Sequence, residues 1–309
     1  MYICIYIYVC VCVFVLVSIN IAQLNSVDTY SAIKEQQTEI ATLLIQHPKL
    51  DLRSRDNEGH TVFGEAVAMR NSVAAAAIRQ REPHVAEEPG ENGMTHLHAA
   101  IVSKDSEAIM FLLQHGANPN SAVRDATSWT PLYMAIERGL DDVVAELLQA
   151  GADPSQPDKS SQWTPAHMAA SLGSVPVLEA LLRYKANFAA VDGQGNSVLH
   201  AAVLNCHADV VTRLLSLPQC IPLALQPNKQ GETPLHSLAT IAARQGDNAV
   251  RVLQLLHPHL NDQLNPQDVL GNTPLYYGCL TGASKFCGSL VRNGGQLALP
   301  NAQGNEFLR

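Results

Sequence analysis

The sequence predicts an all-α solenoid of stacked helical hairpins linked by short β-hairpin turns, and two observations carry this. A Thr or Ser anchor returns at Thr61, Thr95, Thr130, Thr164, Ser197, Thr233 and Thr273, with spacings of 34, 35, 34, 33, 36 and 40 residues. About 20 residues behind the anchors comes a second leucine-rich signal, as in "FLLQHGANPN", "ELLQAGADP" and "ALLRYKANF". Self-similarity at this period means that each unit buries its apolar face only against its neighbours.

Each element of the unit has a local cause. In "TPLYMA", "TPAHMA" and "TPLHSLA" the Thr hydroxyl can cap an open N–H while Pro fills the first helical position. Two residues ahead stands a glycine in most units, Gly59, Gly93, Gly195, Gly231 and Gly271, as a tight turn with positive φ needs. The second helix repeats apolar pairs at i, i+1, i+4, i+5, seen in Val143/Val144 with Leu147/Leu148 and Val210/Val211 with Leu214/Leu215. A Gly closes it at Gly116 and Gly151.

Two units depart from the pattern. Between Thr233 and Thr273 "HPHLNDQLNPQD" is expected to lengthen a solvent-facing loop after the second helix. Between Thr61 and Thr95, the run Ala74 to Ala77 predicts thinner packing.

These motifs resemble the ankyrin repeat, whose T-P-L-H-x-A pattern is nearly complete in "TPLHSLA" and close in "TPLYMA". The resemblance covers roughly residues 38–309. The segments "NFAAVDGQGNSVLHAAV" and "GNTPLYYGCLTGASKFCGSLVRNGGQLALPNAQGNEF" are similar to late repeats of the rabankyrin type, endosomal proteins with ankyrin repeats and a FYVE zinc domain. That resemblance implies an early-endosome trafficking effector whose partner is a protein, a Rab GTPase or another endosomal component. It implies no zinc or phosphoinositide site here, because the chain carries no FYVE Cys pairs or basic lipid motif.

Two segments are expected, 1–22 and an array of seven to eight units over 23–309 that is incomplete at both ends, as in a fragment of a longer protein. The opening "MYICIYIYVCVCVFVLV" is shorter than the roughly 20 residues of a membrane helix and lacks the charged start of a signal peptide. Its first 13 residues alternate Met, Ile or Val with Tyr or Cys, as a translated TA/TG repeat would. The expectation is non-coding sequence joined to a truncated gene model. The alternative is a membrane-anchored ankyrin protein that uses 1–22 as its span.

The composition narrows the function. A net charge of -8 without a Lys/Arg run excludes nucleic acid as the expected partner. The seven cysteines form no CxxC pair, which predicts reduced thiols in a cytoplasmic protein. No nucleophile–base pair, P-loop or dinucleotide turn is present, so an enzyme is not expected and neither is a cofactor. His98, His167, His200 and His236 share one repeat position and are expected to tie units together, not to bind zinc, for which no Cys/His ligand spacing exists.

The candidate partner-binding residues lie in the column just before the anchor: His60, Met94, Trp129 and Trp163. Neighbouring units should set the two indoles side by side as anchors for a protein. The competing reading folds each indole over its own turn, where Ser128 and Gln162 replace the glycine.

Overall fold

The computed structural model describes residues 26–304 except 57–58, 91 and 298. The expectations for 1–22 therefore fall outside the described residues. Among those described there are helices, tight turns and isolated bridges but no extended strand, and no helix is long and apolar enough to cross a membrane. The chain divides into two compact units.

The first unit comprises the residues up to Glu91 together with Thr95–Ala100 and Asp105–Asn118. It holds α1 (Ser26–Lys34), α2 (Thr38–Gln46), α3 (Val62–Ala68), α4 (Ser72–Arg81), most of α5 (His96–Val102) and α6 (Ser106–Gln114). Helix α1 packs on α2 and α3, α2 packs on α4, and α3 packs on α4 and α6. Ile33, Ile45, Phe63 and Ile78 are fully buried in this core. The alanine run does not break α4: Asn71 Oδ1 accepts from the N–H of Ala74 at 3.0 Å, and Ala74 and Ala75 are buried. At its far end the Arg81 guanidinium donates to the carbonyls of Ile45 and His47, each at 2.8 Å, and so joins α4 to the end of α2.

The second unit contains Asn92–Met94, Ile101–Lys104 and the chain from Pro119 onward. Its first helices are α7 (Pro131–Glu137), α9 (Pro165–Leu172), α11 (Val198–Leu204), α13 (Pro234–Gln245) and α15 (Pro274–Leu280). Its second helices are α8 (Asp141–Gln149), α10 (Val175–Arg183), α12 (Ala208–Leu215), α14 (Asp247–Leu256) and α16 (Ser284–Arg292). Each series packs neighbour on neighbour, giving two layers. The paired stripes of α8 and α12 are the buried residues between them. Burying each such Leu or Val stabilises the unit by about 1.5–3 kcal/mol.

The long repeat corrects the expectation of a simple loop. Helix α13 has 12 residues where α11 has 7, because the apolar pattern runs on through "SLATIAARQ" until Gly246, at φ 53, ends it. The insert after α14 begins as a short 3-10 turn, His257–His259, and buries Leu260 and Leu264. It faces solvent only in part.

The turns before the anchors close tightly but pair at single residues, Arg55 with Thr61 and Val191 with Ser197. Within the second unit successive turns are joined by backbone bonds: Lys229 N–H to Gln194 O at 3.0 Å, Val269 N–H to Gln230 O at 2.9 Å, and Ala302 N–H to Leu270 O at 2.9 Å. This close approach explains Gly231. Its φ is 77, and a Cβ there would lie 2.9 Å from the Val269 nitrogen. Gly231→Ala is therefore expected to destabilise the chain by about 1–3 kcal/mol, read as a lower urea midpoint with an unchanged slope.

Candidate functional site

The anchors cap the helices and hold the histidines. The Oγ of Thr95, Thr164, Ser197 and Thr233 lies 2.8, 2.9, 2.9 and 3.0 Å from Nδ1 of His98, His167, His200 and His236. Each anchor's own N–H also donates to that Nδ1, at 3.0 Å for both Ser197 and Thr233. An Nδ1 that accepts leaves the proton on Nε2. In the second unit that proton is donated across to the next repeat: His167 to Asn196 O, His200 to Glu232 O and His236 to Asn272 O, each at 3.1 Å. Thr130 and Thr273 cap without a histidine, accepting from Tyr133 and Tyr276, while Thr61 accepts from Gly64 and its Oγ1 lies 3.1 Å from Nε2 of His96.

Burial pushes all three bridging imidazoles below their ordinary range, His200 to about 4. The neutral ring is the one that fits. A base with a depressed folded pKa contributes stability that is present above the unfolded value, near 6.5, and is lost as pH falls toward the folded one. The melting temperature is therefore expected to drop between pH 6.5 and 4, and less steeply in a His200→Asn variant, as measured by circular dichroism.

Trp129 and Trp163 are both half-buried in the second unit, each against the ring four residues on. Trp129 meets Tyr133 with centroids 5.2 Å apart, and Trp163 stacks on His167 at 6.2 Å. The Trp163 Nε1–H donates to Asp192 Oδ2 in the following turn, at 3.1 Å. Ser128 and Gln162 take φ of 51 and 60 in the glycine column. Met94 is half-buried in the second unit, whereas exposed His60 belongs to the first. The four candidates thus do not share one unit.

A further column carries no weight in the sequence reading yet holds four of the turns. Five residues before the anchor stand Asp56, Asp192, Asn228 and Asp268. Their Oδ1 accepts from the backbone of the turn: from His60 at 2.8 Å, from Gln194 and Asn196 at 2.8 Å, from Gln230 and Glu232 at 2.9 Å, and from Leu270 and Asn272 at 2.9 and 2.8 Å. The recurrence of Asx five residues before an anchor was the available signal. Burial raises the Asp192 carboxyl, but the bonds from Asn196, Gln194 and Trp163 outweigh it and hold the group below its usual range.

The apolar surface lies elsewhere than at the indoles. Val269 and Leu270, at a turn tip, are 71% and 60% exposed. With Tyr277, Lys229, Gln230 and Glu232 they line a shallow cleft inside the second unit. The thiols of Cys206 and Cys220 are raised by burial to about 11, which makes them poor nucleophiles. In the first unit the structure gathers one set of metal-competent side chains that the sequence reading did not foresee, Asp56, His60 and Glu65.

The capped hairpins, the bridging imidazoles and the turn-to-turn bonds define a repeat architecture of stacked helical hairpins. The chain belongs to the ankyrin-repeat proteins: the family described as ankyrin repeats (3 copies) matches residues 73–158 and 146–224. It is similar to Rabankyrin-5 of Mus musculus, 36% identical over 278 residues, and of Homo sapiens, 35% identical over 278 residues. Each match covers 88% of this chain and 23% of the relative, so the chain spans about a quarter of those proteins. It is also 30% identical to the B-cell lymphoma 3 protein homolog of Mus musculus, over 71% of this chain and 48% of that protein.

Trp163→Phe keeps the stacked ring and removes the donor to Asp192. It is expected to cost about 1–3 kcal/mol, seen as a lower denaturation midpoint.

Proposed function

We propose that the chain is a non-catalytic scaffold that binds a protein partner through its turn tips, within an endosomal trafficking effector of the ankyrin–FYVE type. The similarity to Rabankyrin-5 supports the endosomal setting. On this reading the array works on the cytoplasmic side of endosomes, and the partner is a Rab GTPase or another endosomal protein. The observation that carries the binding role is the exposure of Val269 and Leu270 on a turn fixed by Asp268. Rigid apolar tips lose little conformational entropy on docking, and a rim of Lys229, Gln230 and Glu232 supplies polar selectivity. Trp129 and Trp163 are secondary candidate anchors apart from this cleft, limited by their partial burial.

The test is affinity capture by the full chain from an endosome-rich cytosol, with Val269→Ser/Leu270→Ser and Trp129→Ala/Trp163→Ala variants alongside. The tip variant is expected to keep its circular dichroism and lose at least tenfold in captured endosomal protein. Undiminished capture by both variants would sink the tip surface, and capture of no endosomal protein by the parent chain would sink the endosomal assignment.

A further inference from the structure

The first unit holds an arrangement that protein binding does not use. Its turn is closed by three bonds: Asp56 N–H to His60 O at 2.9 Å, Gly59 N–H to Asp56 O at 3.0 Å, and His60 N–H to Asp56 Oδ1 at 2.8 Å. The Tyr30 hydroxyl, donating to the carbonyls of Ser54 and His60 at 3.0 and 2.8 Å, braces it. The closure sets the His60 Nδ1 3.8 Å from Asp56 Oδ2.

Glu65, one turn into α3, faces the same point. The residue is only 4% exposed, yet among the described residues its carboxylate has no hydrogen-bond or ion-pair partner. One ligand atom from each of Asp56, His60 and Glu65 lies within 4.8 Å of the others. The Arg55 guanidinium is directed to the carbonyls of Gly59 and Pro89, at 2.7 and 3.2 Å.

The repeat anchored at Thr273 shows one way in which this position can satisfy the acid of its turn. Four residues past its anchor stands Tyr277, whose hydroxyl donates to Asp268 Oδ2 at 2.6 Å. The equivalent of that phenol is Glu65, so a donor is replaced by a second acid. Two carboxylates brought together in a buried place need a cation or a proton between them. An imidazole with two carboxylates is a donor set suited to a borderline divalent ion such as Zn2+, with water completing the shell.

We propose that Asp56, His60 and Glu65 form a divalent-metal site, selective for Zn2+ over Ca2+ or Mg2+, that locks the first described turn onto α3. Zinc would need the donors drawn to about 2.0–2.2 Å from the ion.

The test titrates the full chain, stripped with EDTA, with ZnCl2 by calorimetry and with Co2+ by visible absorption. One equivalent is expected, with the Co2+ spectrum free of thiolate charge-transfer bands. His60→Ala and Glu65→Gln should each weaken Zn2+ at least tenfold while circular dichroism of the metal-free chain is unchanged. Binding by the parent chain that is unaffected by His60→Ala would assign the zinc to its cysteines and overturn the proposal. Absence of binding would overturn it too. Neither result bears on the partner surface at Val269.

Discussion

Everything in the second unit depends on one constraint, the neutral imidazole held between two repeats. Each repeat must bury polar groups at its seam, because the anchor backbone N–H and the carbonyl of the next turn both face inward. A buried unpaired group of this kind costs about 1–3 kcal/mol. The Nε2–H tautomer resolves both at once, accepting from the anchor of its own helix and donating across the seam. His167, His200 and His236 repeat the device, so one seam's geometry sets the next.

That seam explains what was legible in the sequence. The anchors, helix order and apolar stripes follow from local chemistry repeated many times, and repetition separates signal from chance. The role of the histidines was readable for the same reason. Less legible was the Asx column: Asp and Asn are common in turns, and their alternation across Asp192, Asn228 and Asp268 hid a single function. The long α13 was also missed, since spacing between anchors reports how many residues are added but not whether they extend a helix or a loop.

The candidate site was the least legible part. Rarity drew attention to the two tryptophans, yet an aromatic beside a capped helix start can be consumed by its own unit. Trp163 spends its N–H on Asp192 and its face on His167. Val269 and Leu270 look like ordinary turn residues in sequence, and only the geometry shows that the turn leaves them uncovered. Exposure is a tertiary property and has no periodic signature.

The same logic links the two surfaces of interest. A repeat scaffold fixes its backbone through glycines, Asx oxygens and imidazoles, which leaves the tip positions to vary, while the position four past the anchor is buried in most repeats, as at Met134, Ala201 and Ser237. Tyr277 uses the second of these positions to satisfy Asp268, and so stiffens the turn that presents Val269 and Leu270. Glu65 uses it differently, turning a satisfied polar pair into an acidic pocket beside His60. One register position thus serves two ends, a hydroxyl that satisfies its turn in one repeat and a carboxylate beside a second acid in another.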